Sequence, residues 1–170
     1  AVKLEGGSHV APLVRRMVES GIPVMGHLGL TPQSVNQFGG HKVQGKTPAA
    51  AAKLLNDARA LEEAGAFAIV LELVPRELAE MITQELSIST IGIGAGQHCD
   101  IQVLVLHDLM GMTFGRQPRF VRQYVNLRNI MTDAIHAWTA DVKNGAYPNE
   151  EESYGLTEET KKEIAADSKA

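Results

Sequence analysis

Hydrophobic residues follow two alternating patterns along the chain, and together they predict a repeated order of strand and helix. Short apolar runs favour strands, whereas apolar residues spaced three and four positions apart favour helices. The pattern predicts strands at 1–5, 22–28, 67–73, 90–93 and 103–106. It predicts helices from Ser8 to Gly21, from Thr47 to Gly65, from Pro75 through Leu86, and around the apolar sets 120–125 and 130–142.

This order predicts an α/β fold with a parallel sheet, because helices that connect parallel strands alternate with them. A closed barrel of eight strands typically needs about 200 residues or more. The chain is therefore either a small doubly wound sheet or the last five βα units of a (β/α)8 barrel of the TIM-barrel type. Because the chain starts inside a strand without a Met, we expect that an earlier part is missing and that the open apolar edge favours aggregation.

Composition and charge exclude several classes of partner. The 170 residues carry a net charge of -4, which argues against nucleic acid, and they contain no apolar run near the about 20 residues of a membrane span. The single cysteine, Cys99, excludes an intrachain disulfide and is typical of a reducing, cytoplasmic compartment. Residues 1–148 are predicted to form the compact part, and 149–170 a charged tail with a weak helix from Thr157.

The first strand carries ionisable side chains at the end where parallel α/β folds bind ligands. Lys3 and Glu5 alternate with Val2 and Leu4, so they share one face of the strand, and two glycines follow. A surface ion pair between them is the ordinary alternative and would stabilise the fold little. We favour a site in which Glu5 binds a hard cation such as Mg²⁺ and Lys3 holds an anionic substrate.

Two further strands place an ionisable residue near their carboxyl ends. Glu72 follows the apolar run 68–71, where an unpaired carboxylate would be costly, so it should be paired, protonated or functional. The alternative is a glutamate that points to solvent or caps a neighbouring helix. His27 follows Gly26, and from spacing alone it is as readily a structural hydrogen-bond donor as a site residue. Parallel strands would bring both side chains to the same end of the sheet as Glu5.

Other polar features carry weaker signals. The remaining histidines and Cys99 have no ligand spacing that would predict a zinc site. The glycines within 92–96 lack the full dinucleotide-binding fingerprint and predict a tight turn. The loop 29–46 is long for a compact domain, which predicts a lid over the site.

Several strings of residues, in order along the chain, resemble the ketopantoate hydroxymethyltransferase family. They cover residues 1–148 and are far more specific together than any one of them is alone. They are Val2-Lys3-Leu4-Glu5-Gly6-Gly7, Gly26-His27-Leu28-Gly29-Leu30-Thr31-Pro32-Gln33, Gly39-Gly40-His41-Lys42-Val43-Gln44-Gly45-Lys46, Glu72-Leu73-Val74-Pro75, Ile91-Gly92-Ile93-Gly94-Ala95-Gly96 and His107-Asp108.

The resemblance implies a (β/α)8 barrel related to the isocitrate lyase and phosphoenolpyruvate mutase group. It implies transfer of a hydroxymethyl group from 5,10-methylenetetrahydrofolate to 3-methyl-2-oxobutanoate, giving 2-dehydropantoate in pantothenate synthesis. At the matching positions, Glu5 would be a Mg²⁺ ligand and Glu72 the general base, while Lys3 and His27 would bind the keto acid. The family's earlier strands supply two further metal-binding aspartates and a substrate-binding serine. A homo-oligomer is also implied.

Two alternatives stay open at this point. One is a lyase or mutase of the isocitrate lyase superfamily, which the histidine–glycine loop and the string 72–75 disfavour. The other is a non-catalytic barrel fragment that only associates with another chain. His41 and Ile101 also depart from the family pattern, which usually has an aromatic residue and a glycine at these positions.

Overall fold

The computed structural model describes residues 1–36 and 39–167, and in these ranges it shows a five-stranded parallel sheet in chain order. Its strands are β1 (Val2–Glu5), β2 (Val24–Gly29), β3 (Ala68–Glu72), β4 (Ser89–Ile93) and β5 (Ile101–Gln102). Every neighbouring pair is parallel. A parallel α/β sheet with each strand beside its successor is the arrangement of part of a (β/α)8 barrel, so the predicted fold class is confirmed.

Helices connect the first four strands and continue after β5. Their bounds are α1 (Ala11–Glu19), α2 (Pro48–Glu63), α3 (Arg76–Glu85), α4 (Leu106–Leu109), α5 (Leu127–Asn144) and α6 (Glu158–Asp167), with 3₁₀ turns at Ser8–Val10 and Pro32–Ser34. As its sequence predicts, α2 begins after Thr47, whose hydroxyl oxygen accepts a hydrogen bond from the Ala50 N–H at 3.2 Å. The predicted tail helix is α6, although 168–170 lie outside the described residues. None of the described helices combines the length and apolarity that crossing a membrane requires.

One face of the sheet packs against α1, α2 and α3 and forms the core. A Cβ atom at Gly26 would lie only 2.9 Å from Leu61 Cδ1, which shows how closely β2 approaches α2. Aliphatic side chains from both layers fill the core, among them Val14, Val24, Leu28, Leu61, Ile69, Leu71, Leu78 and Ile82. Each contributes about 1.5–3 kcal/mol to folding. Because side chains alternate along a strand, the opposite face of the sheet is left for polar groups.

The fifth strand is shorter than predicted and lies earlier in the chain. It comprises Ile101–Gln102 instead of 103–106, because Leu106 already begins α4. The backbone N–H of Val103 still donates to the Gly92 carbonyl at 3.0 Å, and this bond closes the ladder. The other four predicted strands begin and end within two residues of the observed bounds.

The helix predicted around 120–125 is wrong, since no described residue in that range is helical. The Tyr124 N–H donates to the Leu109 carbonyl at 2.9 Å, and the Leu127 N–H donates to the Met110 carbonyl at 2.9 Å. These partners lie far back in the chain and replace the helical ones four residues away. The apolar spacing in this segment therefore reflects the packing of an irregular chain against α4.

The helix predicted around 130–142 is confirmed as α5, and it presents an apolar stripe to solvent. Five large apolar side chains on it are exposed: Ile130, Met131, Ile135, Trp138 and Val142.

At the other end of the described chain, β1 is an edge strand, and Val2 is 40% exposed. Exposed apolar surfaces of this kind mark places where protein chains make contacts.

Near the amino-terminal edge of the sheet, Glu62 joins α2 to the turn before β4. Its Oε1 atom accepts hydrogen bonds from the N–H groups of Ser87 at 2.7 Å and Ile88 at 3.2 Å, and from the Ser87 hydroxyl at 2.7 Å. Burial raises the pKa of Glu62, but these hydrogen bonds outweigh burial and hold the pKa below its ordinary value. The ionised side chain therefore stabilises this junction.

Replacing Glu62→Ala is expected to lower the free energy of unfolding by about 1 kcal/mol at neutral pH, since it removes hydrogen bonds to an ionised acceptor. Because the folded-state pKa is lowered, the contribution is complete above the unfolded pKa of about 4.3 and is lost as the pH falls through the folded-state value. Denaturant unfolding of both proteins over this range measures the gap between them. A gap that does not shrink in acid would contradict the assignment.

Candidate active site

Three ionisable side chains meet where β1, β2 and β3 end. Glu5 and Glu72 are the last residues of β1 and β3, and His27 lies two residues before the end of β2. The parallel register pairs Glu5 with His27 and Gly29 with Glu72. Since side chains alternate between faces, all three project from the face opposite the helices. The structure thus brings together three of the four predicted site residues.

His27 lies between the two carboxylates, and only 1% of its surface is exposed. Its Nε2 atom is 3.1 Å from Glu72 Oε2, and its Nδ1 atom is 3.7 Å from Glu5 Oε1. Neither ring nitrogen has a well-aligned hydrogen bond within the described part of the chain. The Nε2 atom is therefore close to the Glu72 oxygen, but the angle between them is poor for a hydrogen bond. A neutral imidazole has a single N–H, so it can donate to only one of the two carboxylates at a time.

The loop after β2 holds Glu5 from a second direction. The Oε2 atom of Glu5 accepts a hydrogen bond from the Gln33 N–H at 3.1 Å, and Gln33 belongs to the 3₁₀ turn that follows β2. The side chains of Glu5 and Glu72 are 13% and 18% exposed. Both carboxylates are therefore mostly shielded from water, yet each keeps lone pairs that a ligand can use.

Lys3 lies beside this cluster without joining it. It occupies the same face of β1 as Glu5, two residues earlier in the strand. Its side chain is exposed and forms no ion pair or hydrogen bond with any residue in 1–36 or 39–167. Its ammonium group is therefore free to meet an anionic ligand.

Glu72 is followed by a residue in an uncommon backbone conformation. Leu73 has a φ of 48°, in the left-handed region that residues with a side chain rarely adopt. Its N–H donates to the Ile93 carbonyl at 3.0 Å, and its carbonyl accepts from the Gln44 N–H at 2.9 Å. These two bonds hold the strained turn that ends β3 directly after Glu72. No residue type in the sequence signals it, because leucine gives no indication of a positive φ.

A cleft of about 1060 Å³ opens next to Glu72. Leu73, Ile93 and Phe120 form its apolar wall. Phe120 packs against the turn after β4 so closely that a Cβ atom at Gly94 would lie 2.8 Å from its ring. Gly94 has a φ of 64°, as the tight turn predicted there requires.

The lining of this cleft includes basic side chains that the sequence pattern does not single out. Arg116 and Arg119 lie between α4 and α5, and neither forms an ion pair with another described residue. The sequence did offer one indication of a basic loop, namely two arginines three positions apart in a segment with glycine and proline. His41 of the predicted lid also lines the cleft, whereas residues 37 and 38 of that loop lie outside the described residues.

The chemistry of the cluster fits a hard cation held through one protein carboxylate. Across 1–36 and 39–167, no three His, Cys, Asp or Glu side chains converge as a preformed metal cage. Mg²⁺ typically takes one or two protein carboxylates and completes its octahedron with waters and substrate. Glu5 offers such a carboxylate, because a single hydrogen bond from Gln33 leaves most of its lone pairs free.

Comparison with known proteins gives a consistent result along almost the whole chain. Residues 1–150 match the family model described as ketopantoate hydroxymethyltransferase. The chain is 54% identical over 92% of its length to the 3-methyl-2-oxobutanoate hydroxymethyltransferase of Thermoanaerobacter sp. (strain X514). It is 56% identical over 91% of its length to the protein of that name from Geobacter metallireducens. It is also 53% identical over 97% of its length to 3-methyl-2-oxobutanoate hydroxymethyltransferase 2 of Bradyrhizobium diazoefficiens.

These relatives are longer proteins, of which the chain spans 57%, 58% and 56%, respectively. The family match includes β1, β2 and β3 and therefore the whole cluster of Glu5, His27 and Glu72. It also includes the cleft and its two arginines. The resemblance predicted from the short strings is confirmed, and the chain belongs to the ketopantoate hydroxymethyltransferase family.

Proposed function

We propose that the protein transfers a hydroxymethyl group from 5,10-methylenetetrahydrofolate to 3-methyl-2-oxobutanoate and so forms 2-dehydropantoate for pantothenate synthesis. The observation that carries the proposal is the cluster of Glu5, His27 and Glu72 at the carboxyl edge of the sheet. Parallel α/β enzymes of the barrel type bind their substrates at this edge. The names of the relatives support the type of reaction, and the roles of the individual residues are inferred from their geometry.

Glu72 would act as the general base. The C3–H bond of the keto acid is next to a carbonyl, so removing this proton leaves an enolate. One oxygen of Glu72 faces His27 Nε2 at 3.1 Å, which leaves the other oxygen for the substrate. Glu72 also lines the cleft, so a substrate there can reach it. The enolate carbon would then form a bond to the methylene carbon of the donor, both C–N bonds of that carbon would break, and a water molecule would supply the hydroxyl oxygen. The proton taken from C3 and the second proton of the water would go to the two nitrogens, so that tetrahydrofolate leaves.

Lys3 and Glu5 would bind the keto acid from the β1 side. The ammonium of Lys3 would attract the substrate carboxylate, and Glu5 would hold Mg²⁺. When bound, the ion would stabilise the negative charge that develops on the keto oxygen. His27 would line the pocket and keep the two carboxylates at a fixed separation, because its ring lies between them.

The cleft beside Glu72 would receive the folate donor. Its volume of about 1060 Å³ is close to the upper end of the usual range for ligand pockets. The apolar wall suits flat ring systems, and the guanidinium groups of Arg116 and Arg119 suit the carboxylates at the glutamate end of a folate. This orientation would place the two ends of the donor against surfaces of matching chemistry.

Replacing Glu72→Gln is expected to slow exchange of the C3 proton of 3-methyl-2-oxobutanoate by about 100-fold or more, because an amide cannot accept that proton. Proton NMR of the keto acid in heavy water with Mg²⁺ measures the rate of this exchange. The protein for the assay is expressed from its complete coding sequence. Glu77→Gln is the matched control, since Glu77 is an exposed carboxylate in the first turn of α3. Wild-type exchange in Glu72→Gln would remove Glu72 as the base.

Replacing Glu5→Gln is expected to raise the Mg²⁺ concentration for half-maximal exchange by at least about tenfold, the loss that even an outer-shell partner of a metal typically causes. The same NMR assay over a series of Mg²⁺ concentrations provides the measurement. The Glu77→Gln protein again serves as the control and should show the wild-type midpoint. An unaltered midpoint in Glu5→Gln would move the metal site elsewhere.

The double replacement of Arg116→Gln and Arg119→Gln is expected to raise the KM for the folate donor by about tenfold, which corresponds to about 1.4 kcal/mol. Exchange of the keto acid proton in the absence of folate should stay at the wild-type rate. The double replacement of Arg15→Gln and Arg16→Gln on α1, where neither residue lines the cleft, provides a control with the same change of charge. An unchanged KM for the donor would place the folate carboxylates elsewhere.

A further inference from the structure

The turn that follows Glu5 is fastened to the helix layer by a buried carboxylate, that of Asp57 on α2. Asp57 is only 4% exposed. Its Oδ1 atom accepts a hydrogen bond from the Ser8 N–H at 2.8 Å, and its Oδ2 atom lies 2.5 Å from Lys53 Nζ. Burial raises the pKa of Asp57, but the hydrogen bonds from Lys53 and Ser8 outweigh burial and hold the pKa below its ordinary value. Both oxygens are therefore engaged by donors that favour the charged form.

Gly7 makes room for this carboxylate. A Cβ atom at Gly7 would lie 2.2 Å from Asp57 Cγ, far inside the limit of a non-bonded contact. Gly7 has a negative φ of -99°, so the need for glycine here is argued from space. Gly6 is different, because its φ of 130° is one that residues with a side chain rarely adopt. The two positions after Glu5 thus favour glycine for different reasons, a positive φ at Gly6 and a lack of space at Gly7.

The same turn is tied to β2 on its other side. The Gly6 N–H donates to the His27 carbonyl at 3.2 Å. β2 therefore holds the first residue of the turn, and α2 holds the third, Ser8. Since Glu5 directly precedes these residues, the position of its backbone depends on both anchors.

We propose that Asp57 is a positioning residue that fixes the turn 6–8 and thereby holds the Glu5 carboxylate where it can bind a divalent cation. Asp57 acts through the backbone of the turn, from the helix side of the sheet, and does not touch the cation or the substrate. The inference rests on the proposed role of Glu5. It extends that role to a helix residue whose other partner, Lys53, lies one turn away on the same helix.

The chain offers a matched comparison on the same helix. Glu62 also holds a loop to α2 by accepting backbone N–H groups, but it does so at the amino-terminal edge of the sheet. Both carboxylates stabilise the packing of α2, and only Asp57 fastens the turn beside Glu5. A purely structural role predicts similar consequences for the two residues, whereas a positioning role predicts a difference at the metal site.

The test compares Asp57→Ala, Asp57→Asn, Glu62→Ala and Glu5→Gln in the protein expressed from its complete coding sequence. Mn²⁺ binding, followed by electron paramagnetic resonance of the free ion, and amide hydrogen exchange at Ser8 are the two readouts. Asp57→Ala should weaken Mn²⁺ binding by about tenfold and speed exchange at Ser8. Asp57→Asn keeps an oxygen acceptor and should retain most of both properties. Glu62→Ala should lower stability but leave both readouts unchanged.

Wild-type Mn²⁺ affinity in Asp57→Ala, with affinity lost in Glu5→Gln, would overturn the positioning role and leave the role of Glu5 intact. Equal losses in Asp57→Ala and Glu62→Ala would also overturn it. Unchanged affinity in Glu5→Gln would instead overturn the proposed metal role of Glu5. If Asp57→Ala does not fold, Ser8→Pro decides the matter, because it removes the N–H donor and leaves Asp57 paired with Lys53. Weakened Mn²⁺ binding supports the proposal, and wild-type binding overturns it.

Discussion

The burial of His27 between two carboxylates is the constraint on which this edge of the sheet depends. An imidazole that is 1% exposed has lost its hydrogen bonds to water, and a buried polar group without a partner costs about 1–3 kcal/mol. Glu5 and Glu72 supply polar neighbours for its two nitrogens, although each carboxylate is itself costly to shield. The three groups can stabilise one another only while β1, β2 and β3 keep their register. A slip of one residue would turn any of them toward the helices.

The two glutamates are held in place by different means. Glu72 precedes a strained turn, whose positive φ at Leu73 is maintained by hydrogen bonds to β4 and to the loop after β2. Such strain persists only where the surrounding structure fixes it, and it is concentrated at functional sites. Glu5 has no strained neighbour of this kind; the Gln33 N–H and the turn anchored by Asp57 hold it. The Glu72 side of the cluster thus rests on a strained turn, and the Glu5 side rests on a turn that a buried carboxylate anchors.

The sequence was sufficient to place Glu5, His27 and Glu72 at one edge, because strand alternation and a parallel order are local rules that follow from residue type. It failed where distant backbone partners decide the structure. The segment 120–125 has helical apolar spacing, yet its hydrogen bonds go to α4. Arg116, in the segment before it, lines the cleft with Ile93 of β4 only once that irregular chain is folded.

Asp57 illustrates a different limit of sequence reasoning. With Lys53 four residues earlier, it has the spacing of a solvent-exposed ion pair on a helix, and such pairs contribute little. Its burial, and the need for a glycine at position 7, appear only when α2 packs against the turn after β1. Polar residues in the buried stripe of a helix are therefore candidates for anchoring the turns that follow neighbouring strands.

The distribution of charge around the cleft follows from the two kinds of ligand that the proposed reaction requires. The chain as a whole carries a net charge of -4, yet the lining of the cleft contains Arg116 and Arg119 as well as the carboxylates of Glu72 and Asp108. A proton acceptor must remain an unpaired carboxylate, and an anionic donor must meet unpaired cations. In the described residues no ion pair joins Glu72 to either arginine, so the two sets of charges do not neutralise each other. Leu73, Ile93 and Phe120 line the same cleft, so in the proposed reaction one cleft would offer a carboxylate base, an apolar wall and two cations for an anionic donor.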